Sequence, residues 1–429
     1  MNKFVEYRRE FHKYPEYGWR EIRTSARVAE ILTSMGYECL MGPDVVNTDS
    51  VQEAVRPSEQ EVEESKVRAI AQGADPVFVE RTKGWPGVIA ELDSQKPGPV
   101  TAFRFDIDCL PYEEPHTSGY RPFEEGYISC NDGLVHACGH DAHTAMGLGI
   151  AASLAERKEA FTGRIRLIFQ PAEETFYGAQ SVIEKGHLDD VQNFIAFHVA
   201  LSAENKPLPS HTICCGCKDF LSDRQLDVSF HGRAAHPCGA AQEGKNALLA
   251  ACSAALNLHA IAPHEEGMFR INVGEIHAGV AANTIAPNAL LRLEYRGETP
   301  AVAAYAGKRV FDILDGTAKT YDLTYTYLDY GDVPAGRSDD AMMEVINRAA
   351  NKVPWFEKIY FEGNVGGTDD AASMITKVQQ NGGIGTYVGI GTNTTQPVHN
   401  AEFDIDEDCI EAAIQIGVYA LEELNGLPT

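Results

Sequence analysis

Short apolar runs alternate with helical patterns along most of this chain, and that alternation limits its fold more than any other feature. The runs P-V-T-A-F-R-F-D-I-D (99–108), R-I-R-L-I-F-Q (164–170), F-I-A-F-H-V-A (194–200) and G-T-Y-V-G-I-G (385–391) have the length and residue types of buried strands. Helix-like segments such as 141–158 and 177–187 lie between them. The order predicts an α/β fold, with a mixed, mostly parallel sheet flanked by helices. The first 36 residues predict a helix pair, with Phe4, Phe11, Ile22, Val28 and Ile31 at roughly helical spacing and Gly36 as the stop. Residues 44–80 are acidic and weakly apolar, and read as a surface insertion with one solvated helix.

The middle of the chain has a different grammar. R-Q-L-D-V-S-F-H-G (224–232) alternates polar and apolar residues, and a helix-like stretch follows at 244–258. Strand patterns at 269–276 and 288–297, a helix at 300–317 and a strand at 321–328 complete the order β-α-β-β-α-β. That is a ferredoxin-like α+β pattern. It predicts an inserted domain at 215–329 and a discontinuous domain formed by 1–214 and 330–429. A chain of 429 residues has room for both.

Charge and cysteine usage exclude several function classes. With 62 acidic against 36 basic residues, the net charge of −26 repels phosphate backbones, so no nucleic-acid partner is expected. An anionic substrate must then be captured by locally placed Arg or Lys. Ten cysteines without regular spacing do not read as a disulfide framework. No run approaches the roughly 18 apolar residues of a membrane span, and M-N-K-F-V-E-Y-R-R-E lacks the apolar core of a secretory signal. The expectation is a cytoplasmic protein with no membrane partner.

Residues suited to chemistry collect where the strands end. Asp106 and Asp108 close the strand 99–108. Cys138, His140 and Asp141 lie in H-A-C-G-H-D-A-H (136–143), which opens the helix 141–158. Glu173 and Glu174 follow the strand 164–170, His198 lies near the end of 194–200, and His399 follows the last strand. Sites in open α/β sheets form beyond the carboxyl ends of the strands, so these segments can converge on one crevice. Thiolate, imidazole and carboxylate form the ligand set of Zn²⁺ and related ions. Gly139 leaves room for Cys138 and His140 to reach one ion. Adjacent glutamates inside a strand point to opposite faces, but beyond its end both can face one site. One can then ligate while the other serves as general base, as metal-assisted hydrolysis needs. Taken singly, each feature reads as structural: C-x-H patterns arise by chance, E-E pairs are usually solvated, and a histidine in an apolar strand is ordinarily a core residue. Their coincidence at five segments makes the metal site.

Five motifs carry a resemblance across nearly the whole chain: H-A-C-G-H-D-A-H, F-Q-P-A-E-E, the F-H of F-I-A-F-H-V, G-R-A-A-H-P, and R-R-E-F-H-K-Y-P-E-Y-G-W-R-E-I-R-T-S. Together they resemble the amidohydrolase branch of the dinuclear metallopeptidase family M20, which includes aminoacylases, carboxypeptidases, hippurate hydrolase and auxin-conjugate hydrolases. The insertion at 44–80, F-R-F-D-I-D-C-L-P-Y-E-E, E-G-K-N-A-L-L-A-A and G-G-T-D-D-A are similar to the aminobenzoyl-glutamate hydrolases within that branch. The resemblance implies a catalytic α/β domain with a ferredoxin-like lid and dimerisation domain. It implies two divalent metal ions, Zn or Mn, held by Cys138, His140, Glu174, His198 and His399. Glu173 would activate the metal-bound water. His236 would reach across a dimer and stabilise the oxyanion. Asn283 and Arg296 resemble residues that grip the substrate carboxylate, a task suited to the planar fork of Arg. Gly366, Gly367 and Thr368 resemble a substrate-side loop.

The implied reaction is hydrolysis of the amide bond of an N-acyl, and by the finer likeness aroyl, amino acid such as N-(4-aminobenzoyl)-glutamate. A general aminoacylase, dipeptidase or carboxypeptidase keeps the reaction and changes the substrate. A non-catalytic partner subunit or binder predicts an eroded site, whereas base, ligands and lid histidine are all present. The assembly would be a homodimer or a heterodimer with a related subunit. Cys214, Cys215 and Cys217 read as ordinary hinge cysteines. His116, His143, His187, His211, His259, His264 and His277 read as structural or surface groups, with His143 also suited to bond a ligand.

Overall fold

The strand Val100–Asp106 is buried along its whole length, as a near-continuous apolar run is when helices cover both faces of a sheet. It lies inside an eight-stranded sheet of order Cys39–Met41, Val88–Asp93, Arg164–Gln170, Val100–Asp106, Asn193–Val199, Ile384–Ile390, Thr212–Cys214 and Lys358–Tyr360. The four strands from Arg164–Gln170 to Ile384–Ile390 run parallel, and antiparallel pairings lie outside them. This is the α/β class read from the alternation. Phe103 and Phe105 each stack 6.2 Å from Phe197 on one face. Burial of each such ring contributes roughly 1.5–3 kcal/mol. The helix His140–Ala155 has small or apolar residues on every side and is buried on nearly all of them, packed against this sheet and the helix Cys409–Asn425.

The computed structural model describes residues 2–53, 55–157, 160–175 and 177–427, and divides the chain into two units. One is Met1–Lys218 with Arg337–Thr429; the other is Asp219–Gly336. The second unit has its own antiparallel sheet, of order Phe269–Ala278, Asn288–Gly297, Asp223–His231, Thr324–Val333. Alternate residues of Asn288–Gly297 are buried, and Leu291 and Leu293 meet Val228, Ala250, Ala254, Val310 and Leu314 in a separate core. Its helices Ala247–His259 and Pro300–Thr320 begin where Asn246 and Thr299 accept hydrogen bonds from the backbone of Leu249 and Val302.

Several local readings need correction. The insertion holds two helices, Glu59–Ala71 and Pro76–Arg81, and is not wholly solvated: Ala69, Ala74 and Val79 pack against Ile22 and Ala26. Its apolar side is made of small residues, too faint to register as a stripe. The helix expected at 300–317 continues to Thr320, so the strand expected from 321 begins at Thr324. The helix expected over 141–158 ends at Ala155, and its expected last residue, Lys158, lies outside the described residues, as does Ala54 of the insertion. Among the described residues, no helix is long and apolar enough to cross a membrane.

Candidate active site

Two histidines are turned into one crevice by bonds at their other nitrogen. His140 opens its helix behind Gly139, which sits at φ +90°. A Cβ there would lie 2.3 Å from Val199 Cγ2, so only glycine lets this loop lie against the strand end. His140 Nδ1 donates to the Asp108 carbonyl and carboxylate, at 3.0 and 3.2 Å. Its Nε2 is buried with no hydrogen-bond partner among the described residues. His198 Nδ1 donates to the Val199 carbonyl at 2.6 Å, and its Nε2 lies 3.5 Å from Cys138 Sγ. Both rings therefore present the Nε2 lone pair, as metal-binding imidazoles do when the other nitrogen is tethered.

The glutamates arrive on a turn rather than a strand. The strand ends at Gln170, and Ala172 takes φ +56°, a left-handed conformation that costs a non-glycine residue about 1–2 kcal/mol. Glu174 N donates to Asp108 Oδ2 at 3.0 Å. Glu173 Oε2 and Glu174 Oε1 both come to 3.9 Å from His140 Nε2. His399, itself at φ +62°, brings Nε2 to 3.6 Å from Glu174 Oε1. The His399 backbone N–H donates to the Ala137 carbonyl at 2.8 Å, docking the last loop onto the loop of Cys138. The five segments thus meet. Cys138, His140 and Glu174 place one donor atom each within 4.8 Å of one another.

This donor set fits a cation. Glu174 Oε1, like His140 Nε2, is buried without a hydrogen-bond partner among the described residues. Burial, together with Asp108 and Asp106, pushes Glu174 up to about 8 against the pull of His140. Burial and then Asp369 and Glu174 raise Glu173 well above the carboxylate range, and burial raises the Cys138 thiol. A divalent ion is the charge that would hold such groups ionised.

Other residues support the site from behind it. His143 Nδ1 donates to Asp106, and its Nε2 accepts the Val199 N–H at 2.9 Å, so neither nitrogen is left for an ion. Its ring packs 4.6 Å from that of His198. Arg104 ties Asp106 to Asp369 at 3.2 Å and Asp370 at 2.9 Å, while Tyr387 donates its hydroxyl to Asp369. Burial raises Asp370 to about 7 despite Arg104. Asp369, Asp370 and Glu173 have carboxylate oxygens within 4.8 Å of one another. Asp141 forms an ion pair with Arg8, whose Nε lies 2.7 Å away, and accepts a hydrogen bond from His12 Nδ1 at 2.8 Å. Arg8 also reaches Asp404 and Glu407, at 2.8 and 3.2 Å. For Arg104 the sequence held a signal of its own: a charge in F-R-F, mid-strand, has to be paired.

The remaining residues singled out in the sequence are placed as follows. Gly366, Gly367 and Thr368 form the loop before Asp369 in the first unit. His236 and Asn283 are exposed in loops of the second unit. His236 Nδ1 accepts the backbone N–H of Cys238 and Gly239, at 3.2 and 3.1 Å, so its proton sits on Nε2. Arg296 is paired within its own unit, 3.0 Å from Asp223 and 3.1 Å from Glu294. Cys214, Cys215 and Cys217 are buried. His136 is buried with neither ring nitrogen hydrogen-bonded among the described residues, and burial lowers it to about 3.

An α/β sheet whose strand ends gather thiol, imidazole and paired carboxylates defines a hydrolase of the metal-site type. The chain belongs to the peptidase family M20/M25/M40, whose model matches residues 102–423, and it is a hydrolase of amide bonds. It is 38% identical to indole-3-acetyl-aspartic acid hydrolase of Enterobacter agglomerans, over 99% of this chain and 96% of that one. It is also 38% identical to one subunit of the p-aminobenzoyl-glutamate hydrolase of Escherichia coli, over 96% of this chain and 94% of that one. The crystal structure of the aminobenzoyl-glutamate utilization protein of Klebsiella pneumoniae superposes with a TM-score of 0.79 at 34% identity, covering 98% of this chain and 95% of that one.

Proposed function

We propose that the chain is a metal-dependent amidohydrolase that splits the amide bond between an aryl-bearing acyl group and a dicarboxylic amino acid, as in N-(4-aminobenzoyl)-glutamate. The observation that carries the reaction is the pair of buried atoms His140 Nε2 and Glu174 Oε1, 3.9 Å apart, neither hydrogen-bonded among the described residues. Cys138, His140, Glu174, His198 and His399 would hold two divalent ions, Zn or Mn. Such ions supply Lewis acidity to the scissile carbonyl and bring the pKa of water toward neutrality. Glu173 takes the proton from the attacking water and delivers it to the departing amine nitrogen. His236, its proton on Nε2, donates to the oxygen of the tetrahedral intermediate from a partner subunit's lid. Asn283 and Arg296, with Gly367 and Thr368, receive the amino-acid carboxylates; Arg296 would exchange one of its two internal carboxylates for that of the substrate. The names of both relatives at 38% identity pair an aromatic acyl group with aspartate or glutamate, which supports the substrate class.

Association through the second unit is part of this reading, as a homodimer or with a related subunit. Its strand Phe269–Ala278 is a sheet edge, with no strand on its outer side among the described residues. Leu249, Leu256 and Val280 of the same unit are 49, 76 and 66% exposed. Such edges and patches invite a partner.

Glu173→Gln should retain bound metal and substrate affinity while turnover falls about a thousandfold, within the 10²–10⁴ range of a general base. Turnover within tenfold of wild type would remove Glu173 from this role. Aminobenzoyl-glutamate and indoleacetyl-aspartate should both be cleaved faster than acetyl-glutamate and hippurate; the reverse order would return the enzyme to the general aminoacylases.

A further inference from the structure

The N-terminal stretch Y-G-W-R-E (17–21) lies against the turn that carries both glutamates. Glu21 is fully buried, and its Oε1 accepts the Ala172 N–H at 2.7 Å. Gly18 lies against the same turn: a Cβ there would stand 2.9 Å from Thr175 Cγ2 and 3.3 Å from Ala172 Cα. The stretch is itself fixed to the strand end behind it. Cys109 N donates to the Glu16 carbonyl at 2.9 Å, and Tyr17 bridges Cys109 in parallel fashion.

The turn has few anchors of its own. Among the described residues, no strand pairing extends past Gln170. Thr175 Oγ1 and Gly178 N both donate to the Ala172 carbonyl at 3.2 Å, closing the turn on itself. Asp108 holds Glu174 N on one side, and Glu21 holds Ala172 N at the entrance. Ala172 keeps its left-handed backbone between these bonds, and the direction in which Glu173 leaves the chain depends on it.

We propose that Glu21 is a positioning residue, which aims Glu173 and Glu174 by fixing the backbone of Ala172, and that Gly18 is the surface on which that turn is set. The inference rests on the reading of Glu173 as base. Neither residue touches substrate. Their effect should appear in turnover with little change in substrate affinity.

The test compares Glu21→Met, which removes the acceptor at similar volume, with Glu21→Gln, which keeps one. Both are assayed at saturating metal beside Gly18→Ala and Glu173→Gln. Glu21→Met should lower kcat 10- to 100-fold with KM within threefold, and Glu21→Gln should stay within threefold of wild type in both. Gly18→Ala, which pushes on the turn with Glu21 intact, should reproduce the loss in kcat. Unchanged kcat in Glu21→Met, or an equal loss in Glu21→Gln, would overturn the proposal. If Glu21→Met does not fold, Gly18→Ala decides, and unchanged kcat there overturns it. An inactive Glu173→Gln beside a fully active Glu21→Met sinks the clamp and spares the base. An active Glu173→Gln sinks the base, whatever the Glu21 variants do.

Discussion

Gly139 separates Cys138 from His140, and its constraint is twofold: φ +90° and a Val199 methyl 2.3 Å from where a Cβ would be. Gly139→Ala should cost about 1–3 kcal/mol, the range for overpacking a tight site, and should lower bound metal per chain. Metal analysis and a thermal melt on the same sample check this; a stable, fully loaded variant would refute it. The convergence of the five segments was legible because ligand-type residues stand at or just past strand ends or, for Cys138 and His140, at the start of a helix. Their tethers were not. Glu21 meets Ala172 151 positions away, and Arg8 meets Asp404 396 positions away. Neither pairing leaves a periodic trace. His143, read from the sequence as a structural group, spends its two nitrogens on Asp106 and Val199.

The helix Lys3–Lys13 works through its buried face. Arg8 and His12 carry charge and hydrogen bonds to Asp141, Glu114, Asp404 and Glu407, joining the start of the His140 helix to the segment after His399. Burial and Arg8 press the His12 imidazole toward neutrality, and hydrogen bonds with Asp141 and Glu114 outweigh them, raising it to about 9. A raised pKa contributes stability that is complete below the ordinary value of 6.5 and is lost as pH rises through 9. The urea midpoint should therefore fall between those pH values, and His12→Gln should flatten that dependence; equal slopes would show that His12 is not charged in the fold. At this scale the sequence was informative where elements are long. The central strands came within a residue or two of their bounds because apolar runs mark them. The short strands Cys39–Met41, Thr212–Cys214 and Lys358–Tyr360 have three residues each, too few for any period to show.

The molecule is built of two units, and the proposed mechanism asks one to serve the site of another subunit. His236→Ala and Glu173→Gln should each be nearly inactive alone. Mixed after dissociation, they should regain roughly a quarter of wild-type activity, the statistical share of intact sites when subunits of a two-fold dimer exchange freely. No recovery, with exchange verified by size and label, would place His236 outside a shared site.

The strand Asn193–Val199 finds its parallel neighbour Ile384–Ile390 about 190 residues further on, across the whole of the second unit. On a ribosome adding roughly 5–20 residues per second, that interval lasts on the order of ten to forty seconds. For that time a strand carrying Phe194, Ile195 and Phe197 has an open edge, a template for wrong pairing. His399 emerges later still, last of the five proposed donors, so until then the nascent chain lacks part of that set. On the proposed ligand set, the full metal complement would find its site only after the last strand and the loop behind it have been added.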